Sequence, residues 1–356
     1  MKIATFRFFP LLLLACGAPT VQQEAVSPAN QAADAAATIT AADMRNRIAF
    51  LASDALRGRD TPSPGLDTAA AWIAREFERM GLEPGGEAGS YLQRYPFTIR
   101  TLTGDATWQG LRYGRDFFVW AGMPSEISGP LVPVTTDLAD VPAATIKGKV
   151  PVVRVPGRLD RAWRSAVGSA RNAALLAGAN GLIVVLDSLI TEDNVRQAAA
   201  SFATSRSASP LLSVAFVRSQ ASFSTGPVQI AIPAQVIEHR PPNVAGILRG
   251  SDPALRNTYV VISAHMDHVG VGTPDATGDS IYNGADDDAS GTSGVLEVAE
   301  ALAVLPERPA RSVLFLLVSG EEKSLLGSRY FSEHPTVPVQ QIVANVNIDM
   351  IGRNAP

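Results

Sequence analysis

Apolar residues recur at two different periods along the chain, and each change of period predicts a change of architecture. Between residues 40 and 81 the spacing is helical. Met44, Ile48 and Leu51 follow the capping sequence Thr40-Ala41-Ala42-Asp43. Pro64-Gly65 opens a second helix with Trp72, Ile73, Phe77 and Met80 on one face, and Gly81 stops it. Both helices read as scaffold. From about Trp120 to Val236 the texture turns β-like, with apolar runs at 150–155, 181–186 and 211–216 around an Ala-rich helix at 164–177. After Asn243, continuous apolar strands at 259–264, 312–318 and 342–348 alternate with helices at 291–305 and from about 324. Unbroken apolar strands between helices predict a sheet covered on both faces. The expected fold class is α/β: a mostly parallel mixed sheet with helices on both faces, plus a smaller β-rich inserted body.

A length of 356 residues fits about two domains. The expected division is 1–15 as a signal peptide, 16–39 as a flexible tether, 40–119 and 243–356 as two parts of one domain, and 120–236 as the inserted one. Lys2 and Arg7 precede a short apolar run at 8–14, which ends in Leu13-Leu14-Ala15-Cys16-Gly17. This is the layout of an export signal, and the run is far shorter than the ~20 residues a membrane span needs. Leu-Leu-Ala-Cys resembles the bacterial lipobox, and the chain's single cysteine falls at the position that would be lipidated. The expectation is an exported protein, a periplasmic or outer-membrane lipoprotein attached through Cys16. One cysteine excludes a disulfide framework. A net charge of −4, 18% charged residues and no basic run argue against a nucleic-acid partner.

The chemistry gathers at the strand ends. The 259–264 strand runs into His265-Met266-Asp267-His268, and the 312–318 strand into Glu321-Glu322. The 342–348 strand runs into Asp349, and Asp286-Asp287-Asp288 precede the 291–305 helix. Open α/β sheets bind ligands outside the carboxyl ends of their strands, so these clusters are expected to meet in one cleft. Imidazole and carboxylate donors without thiolate suit zinc and, less specifically, manganese or cobalt. Several carboxylates around one histidine suggest a pair of ions sharing a carboxylate. Neighbouring Glu321 and Glu322 point in opposite directions, so one can bind metal while the other moves a proton. His268 reads as a residue lining the loop, and His239 and His334 as structural.

Segments 263–270, 283–294, 315–331 and 346–353, and weakly 47–59, together resemble metallopeptidase family 28, the dinuclear zinc aminopeptidases. Glutamate carboxypeptidase and glutaminyl cyclase are relatives within that group. The resemblance implies that His265 and Asp349 bind one ion, with Asp267 orienting the ring of His265. It also implies that Asp287 bridges, that Glu322 binds the other ion, and that Glu321 is the general base for hydrolysing N-terminal residues from peptides. It implies a cis peptide between Asp287 and Asp288. The family's last ligand, a histidine well downstream of the Asp349 position, lies outside these 356 residues. Asp287 and Glu322 alone are therefore expected at the second ion, and the family domain is expected to be incomplete. Lys147 to Val150 and the stretch 173–184 resemble the protease-associated domain, which implies that identity for 120–236. Within the same scaffold a carboxypeptidase, a glutaminyl cyclase-like enzyme or a non-catalytic binding protein are the alternatives.

Overall fold

Alternation along one strand separates the two layers of the core. All seven residues of Ser312–Val318 are buried. Val313, Phe315 and Leu317 join one apolar cluster, while Leu314, Leu316 and Val318 join another, because successive side chains leave a strand on opposite faces. Leu66, Ala70, Ile73 and Phe77 of the helix Pro64–Arg79 fill the first cluster, together with Val295, Leu296 and Ala299 of Gly291–Ala303. Phe331 of Leu326–Glu333 and Val337 close the second. Helices thus cover both faces, as the unbroken apolar strands predict.

This computed structural model describes residues 28–120, 126–205, 212–224 and 226–353. The expected signal sequence and Cys16 lie outside the described residues. Tyr259–His265 runs parallel to Ser312–Val318 on one side and to Ile342–Asn347 on the other. Pro242–Leu248 pairs antiparallel with the far side of Ser312–Val318, and Glu83–Pro84 and Leu92–Arg94 pair in turn with Pro242–Leu248. The result is a mixed six-stranded sheet. Its three parallel strands carry the chemistry-bearing segments. His265 stands opposite Val318, and Ser263 opposite Asn347. The residues that follow each strand therefore emerge at one edge. Ile342–Asn347 is the outer strand, and Val343 and Val346 on it are exposed.

The helix starts follow their sequence signals. Thr40 caps Ala41–Leu51 by accepting from the Asp43 N–H, and Ser63 caps Pro64–Arg79, with Pro64 in its first turn. Two expectations need correction. The 16–39 stretch, read as a tether, contains the helix Pro28–Ala37, with Ala35 buried. Its alanines are strong helix formers, which a reading for apolar periodicity overlooks. The inserted body also begins earlier than 120. Phe97–Leu102 pairs with Ala234–His239 and Thr204–Ser205. Phe117–Val119 is the edge strand of a five-stranded sheet that continues through Val214–Val217, Leu182–Val185 and Val150–Arg154 to Leu131–Pro133. Partner choice between strands is non-local, so a change of texture along the chain marks this boundary poorly. Arg161–Leu176 and Glu192–Phe202 pack on that second sheet through Trp163, Val167, Ala174, Val195 and Ala198.

Candidate metal centre

His265 is the last residue of its strand and is buried. Its backbone is held at both ends: the N–H donates to Asp288 Oδ2 (3.1 Å), and the carbonyl accepts from Thr292 Oγ1 (2.8 Å). The ring Nδ1 lies 3.1 Å from the carbonyl oxygen of Asp267 and 3.7 Å from its Oδ1. This contact turns Nε2 toward Asp287 Oδ1, 3.1 Å away, and Asp349 Oδ1, 3.7 Å away. Burial alone would lower the pKa of the ring. Contact with Asp267 and the charges of Asp288 and Glu321 outweigh it and lift the ring to about 9. Metal uptake at Nε2 therefore competes with a proton.

Asp267 is fully buried and its carboxylate serves three groups. Oδ2 accepts from Thr61 Oγ1 (2.9 Å), Oδ1 accepts from the Glu321 N–H (3.3 Å), and Oδ1 also faces the His265 ring. Thr61 Oγ1 in turn accepts from the Gly320 N–H at 3.1 Å. The Asp267–Thr61 pair therefore fixes the turn that presents Glu321 and Glu322. Burial raises the Glu321 carboxyl above its ordinary value, with His265 opposing and Glu322, Asp267 and Asp349 adding to the shift.

The three aspartates divide their tasks. The peptide between Asp287 and Asp288 is cis, as the family resemblance implies. Asp288 is wholly buried and accepts from the N–H groups of His265, Gly291 (2.9 Å) and Met350 (3.2 Å), joining three segments. Burial pushes its carboxyl up to about 7. Asp286 accepts from the Gly352 N–H at 2.8 Å. Asp287 is left to face the cleft. Its Oδ1 meets His265, and its Oδ2 lies 4.0 Å from His268 Nδ1. His268, expected to line the loop, turns into the cleft, with Nδ1 2.7 Å from Glu322 Oε1.

Among the described residues two groups of donor atoms result, each within 4.8 Å: His265, Asp287 and Asp349, and His268, Asp287 and Glu322. Donors about 2.0–2.1 Å from a tetrahedral zinc would stand about 3.3 Å apart. The separations of 3.1 and 3.7 Å in the first group, and of 2.7 and 4.0 Å in the second, bracket that value. The donor sets fit zinc in chemistry as well as spacing, with imidazole and carboxylate and no thiolate. A cleft of about 630 Å³ opens beside them, walled by Ile48, Ile281, Tyr282 and Met350.

The structure thus brings together His265, Asp267, Asp287, Glu321, Glu322 and Asp349. It keeps His334 away, as expected: that residue ends the helix Leu326–Glu333, and its carbonyl accepts from Gln93 Nε2 at 2.6 Å. One contributor escaped the sequence reading: Arg59, fully buried behind the metal loops, which donates to the carbonyls of Met266 (2.9 Å), Asn283 (2.8 Å), Gly284 (3.0 Å) and Leu51. Burial lowers its pKa to about 10, against the pull of Asp267, Asp288 and Asp287. The weak match at 47–59 was the available signal for it.

Comparison with known proteins places part of the chain beside a known family. Residues 243–356 match the sequence profile of peptidase family M28. A probable zinc metalloprotease of Leptosphaeria maculans is 33% identical over 126 residues, which cover 35% of this chain and 27% of that protein. A probable leucine aminopeptidase of Arthroderma otae is 31% identical over 146 residues, covering 39% and 38%. The chain therefore spans well under half of these relatives. Among solved structures, the aminopeptidase from Aneurinibacillus sp. strain AM-1 superposes with a TM-score of 0.50 at 18% identity, over 90% of this chain and 73% of that one, which shows a shared fold. Among the described residues, both groups of clustered imidazoles and carboxylates lie within 243–356, the stretch that matches the M28 profile.

Proposed function

We propose that the protein is a zinc-dependent exopeptidase that removes N-terminal residues from peptides. The observation that carries this reading is the pair of imidazole–carboxylate groups that share Asp287, one of its oxygens to each, beside an uncommitted Glu321. His265, Asp287 and Asp349 would hold one ion, and Asp287 and Glu322 the second. Bound there, the ions supply Lewis acidity, polarising a peptide carbonyl and acidifying an attacking water.

The chain's own residues do the rest. Glu321 takes a proton from the attacking water as its oxygen bonds to the carbonyl carbon, then delivers that proton to the amine as the C–N bond breaks. Its raised pKa suits it to both halves, because burial brings its proton affinity closer to that of a neutral solution. Asp267 is a positioning residue, holding the His265 ring and the Glu321 backbone in one frame. The cleft beside Asp287 offers an apolar wall for the residue being released.

The names of the similar proteins support the aminopeptidase form of the reading. The reading extends to location and the inserted body. Leu13-Leu14-Ala15-Cys16 supports export and lipid attachment at Cys16. Lys147 to Val150 and the helix–strand passage from Arg161–Leu176 to Leu182–Val185 support a protease-associated identity for the insertion. Aminoacyl-p-nitroanilides test the activity directly. Release of nitroaniline that a chelator abolishes and zinc restores is the expected result; no chelator-sensitive release would leave a binding protein on this scaffold.

A further inference from the structure

Away from the metal centre, the inserted body carries a cavity of about 310 Å³ whose apolar wall is mostly aromatic. Phe118 and Phe216 stand opposite one another in the antiparallel pair of Phe117–Val119 with Val214–Val217. Their rings stack with centroids 4.7 Å apart, and Phe118 also stacks on Phe202 at 5.7 Å. Trp163 extends the row beyond Phe216 at 5.5 Å, and Trp120 extends it beyond Phe202 at 6.0 Å. Phe118, Phe216 and Trp163 are buried, whereas Trp120 is 41% exposed. The helices Arg161–Leu176 and Glu192–Phe202 supply Trp163 and Phe202, so regular elements hold most of this cage. Aromatic walls around a space of this size suit a small apolar ligand.

Two features of the helix Arg161–Leu176 set the cavity apart from a packing defect. Glycine inside a helix weakens it relative to alanine, and no contact requires Gly168. A Cβ there would meet no described atom within 4 Å. The missing side chain leaves room to the cavity that Gly168 lines. Arg171, three residues further on, lines it as well. Its Nε is shut off from solvent and has no hydrogen-bond partner among the described residues. Arg164, one turn before Gly168, adds a second guanidinium, whose Nε reaches only the Asp160 carbonyl at 3.4 Å. A buried donor left in this way calls for an occupant that accepts from it, and a planar guanidinium matches a carboxylate.

The same wall narrows the ligand further. Trp163 Nε1 is already committed to the Val155 carbonyl at 3.2 Å, and no other side chain of the wall can accept an N–H. An amide inside would therefore go unpaired. An ammonium group would face two guanidiniums, which disfavours a free amino acid. We propose that this cavity binds a free apolar monocarboxylate, with its ring or chain in the aromatic cage and its carboxylate on Arg171. The site shares no residue with the metal centre and does not depend on the exopeptidase reading.

Isothermal titration calorimetry on the full chain tests this with phenylbutyrate, decanoate and the uncharged phenylbutyramide. One saturable site is expected for the acid, with the amide at least about 10-fold weaker, the worth of a hydrogen bond to a charged group. Arg171→Gln should lower the acid to the affinity of the amide and leave the amide unchanged. Gly168→Leu fills the cavity and should abolish binding of both. Phenylbutyrate against decanoate separates aryl acids from fatty acids, and either one bound in this manner supports the proposal. Equal affinities of acid and amide, or no binding at all, overturn it. Acid binding that survives Gly168→Leu overturns it too, since a carboxylate held at the metal centre would behave in that way. Acetyl-Gly-Gly-Phe binding as tightly as phenylbutyrate would overturn the free-acid assignment in favour of peptide C-termini. If the leucine variant does not fold, Arg171→Gln decides, because it strands no described partner: an unchanged affinity for the acid refutes the site.

Discussion

The two adjacent glutamates separate at the level of single atoms. Glu322 Oε1 sits among donor atoms that could hold a metal, whereas the Glu321 carboxylate belongs to neither donor group and its backbone is fixed by Asp267. Glu321→Gln is therefore expected to keep its bound metal and to lose about 10²–10⁴ in turnover, the usual worth of general acid–base catalysis. Asp287→Ala removes a donor from both groups and is expected to empty the site. Metal analysis beside the nitroanilide assay reads both outcomes. An empty site in Glu321→Gln with a full one in Glu322→Gln would mean that the two roles are exchanged. Much of this site was legible beforehand, because strand ends announce themselves: an apolar run that stops at His265, Glu321 or Asp349 places those residues at one sheet edge. Arg59 was not legible. A buried guanidinium that bonds only to carbonyls has three of its four partners in loops more than 200 positions away, and no period along the chain connects them.

Three helices meet at one guanidinium. Arg47 of Ala41–Leu51 donates Nε to Glu297 (2.6 Å) and Nη1 to Glu76 (3.0 Å), and bonds Glu300 through Nη2. The amphipathic faces of these helices were visible in the sequence, but a charged residue on a helix ordinarily reads as solvated, and Arg47 is buried. Removing one partner of a buried ion pair strands the other, here Glu297 with 4% of its side chain exposed. Arg47→Ala is expected to lose about 3–5 kcal/mol of stability in urea unfolding. The network also sets an acid limit. Burial would raise Glu76, but Arg79 and Arg47 outweigh it and hold the carboxyl below its ordinary 4.5. A depressed folded-state pKa contributes stability that is present above pH 4.5 and is lost as pH falls through the lower folded value. Stability measured between pH 6 and 3 should therefore fall less steeply in Arg47→Ala than in the parent. Equal slopes would place the acid sensitivity elsewhere.

At the scale of the whole molecule, the proposed lipid anchor and the inserted body make separable claims. Cys16→Ser is expected to move the protein from the membrane fraction to the soluble one or to block its processing, because acyl chains supply the attachment; unchanged fractionation and cleavage would remove that reading. The insertion is testable on firmer structural ground. The chain enters it through Phe97–Leu102 and leaves through Ala234–His239, which pair antiparallel from Phe97 opposite His239 to Leu102 opposite Ala234. Just below this neck, Arg94 stands opposite Pro242, and the Tyr95 N–H donates to the Pro241 carbonyl at 3.2 Å. Exit and re-entry are thus neighbours in the six-stranded sheet. The apolar clusters respect the same division. Those around Phe216 and Ile230 draw only on residues from 102 to 234, and those around Phe315, Leu316 and Leu56 only on residues outside that range. Bodies that share a neck but no core are expected to fold separately. Replacing residues 97–239 by a short glycine turn, with Tyr95 and its 3.0 Å hydrogen bond to Ser319 retained, should leave cooperative thermal unfolding and an unchanged metal content. A shortened chain that is soluble only as aggregate, or that no longer binds zinc, would show that the body carrying the metal-site residues depends on contacts beyond the neck, and the two bodies would then have to be treated as one folding unit.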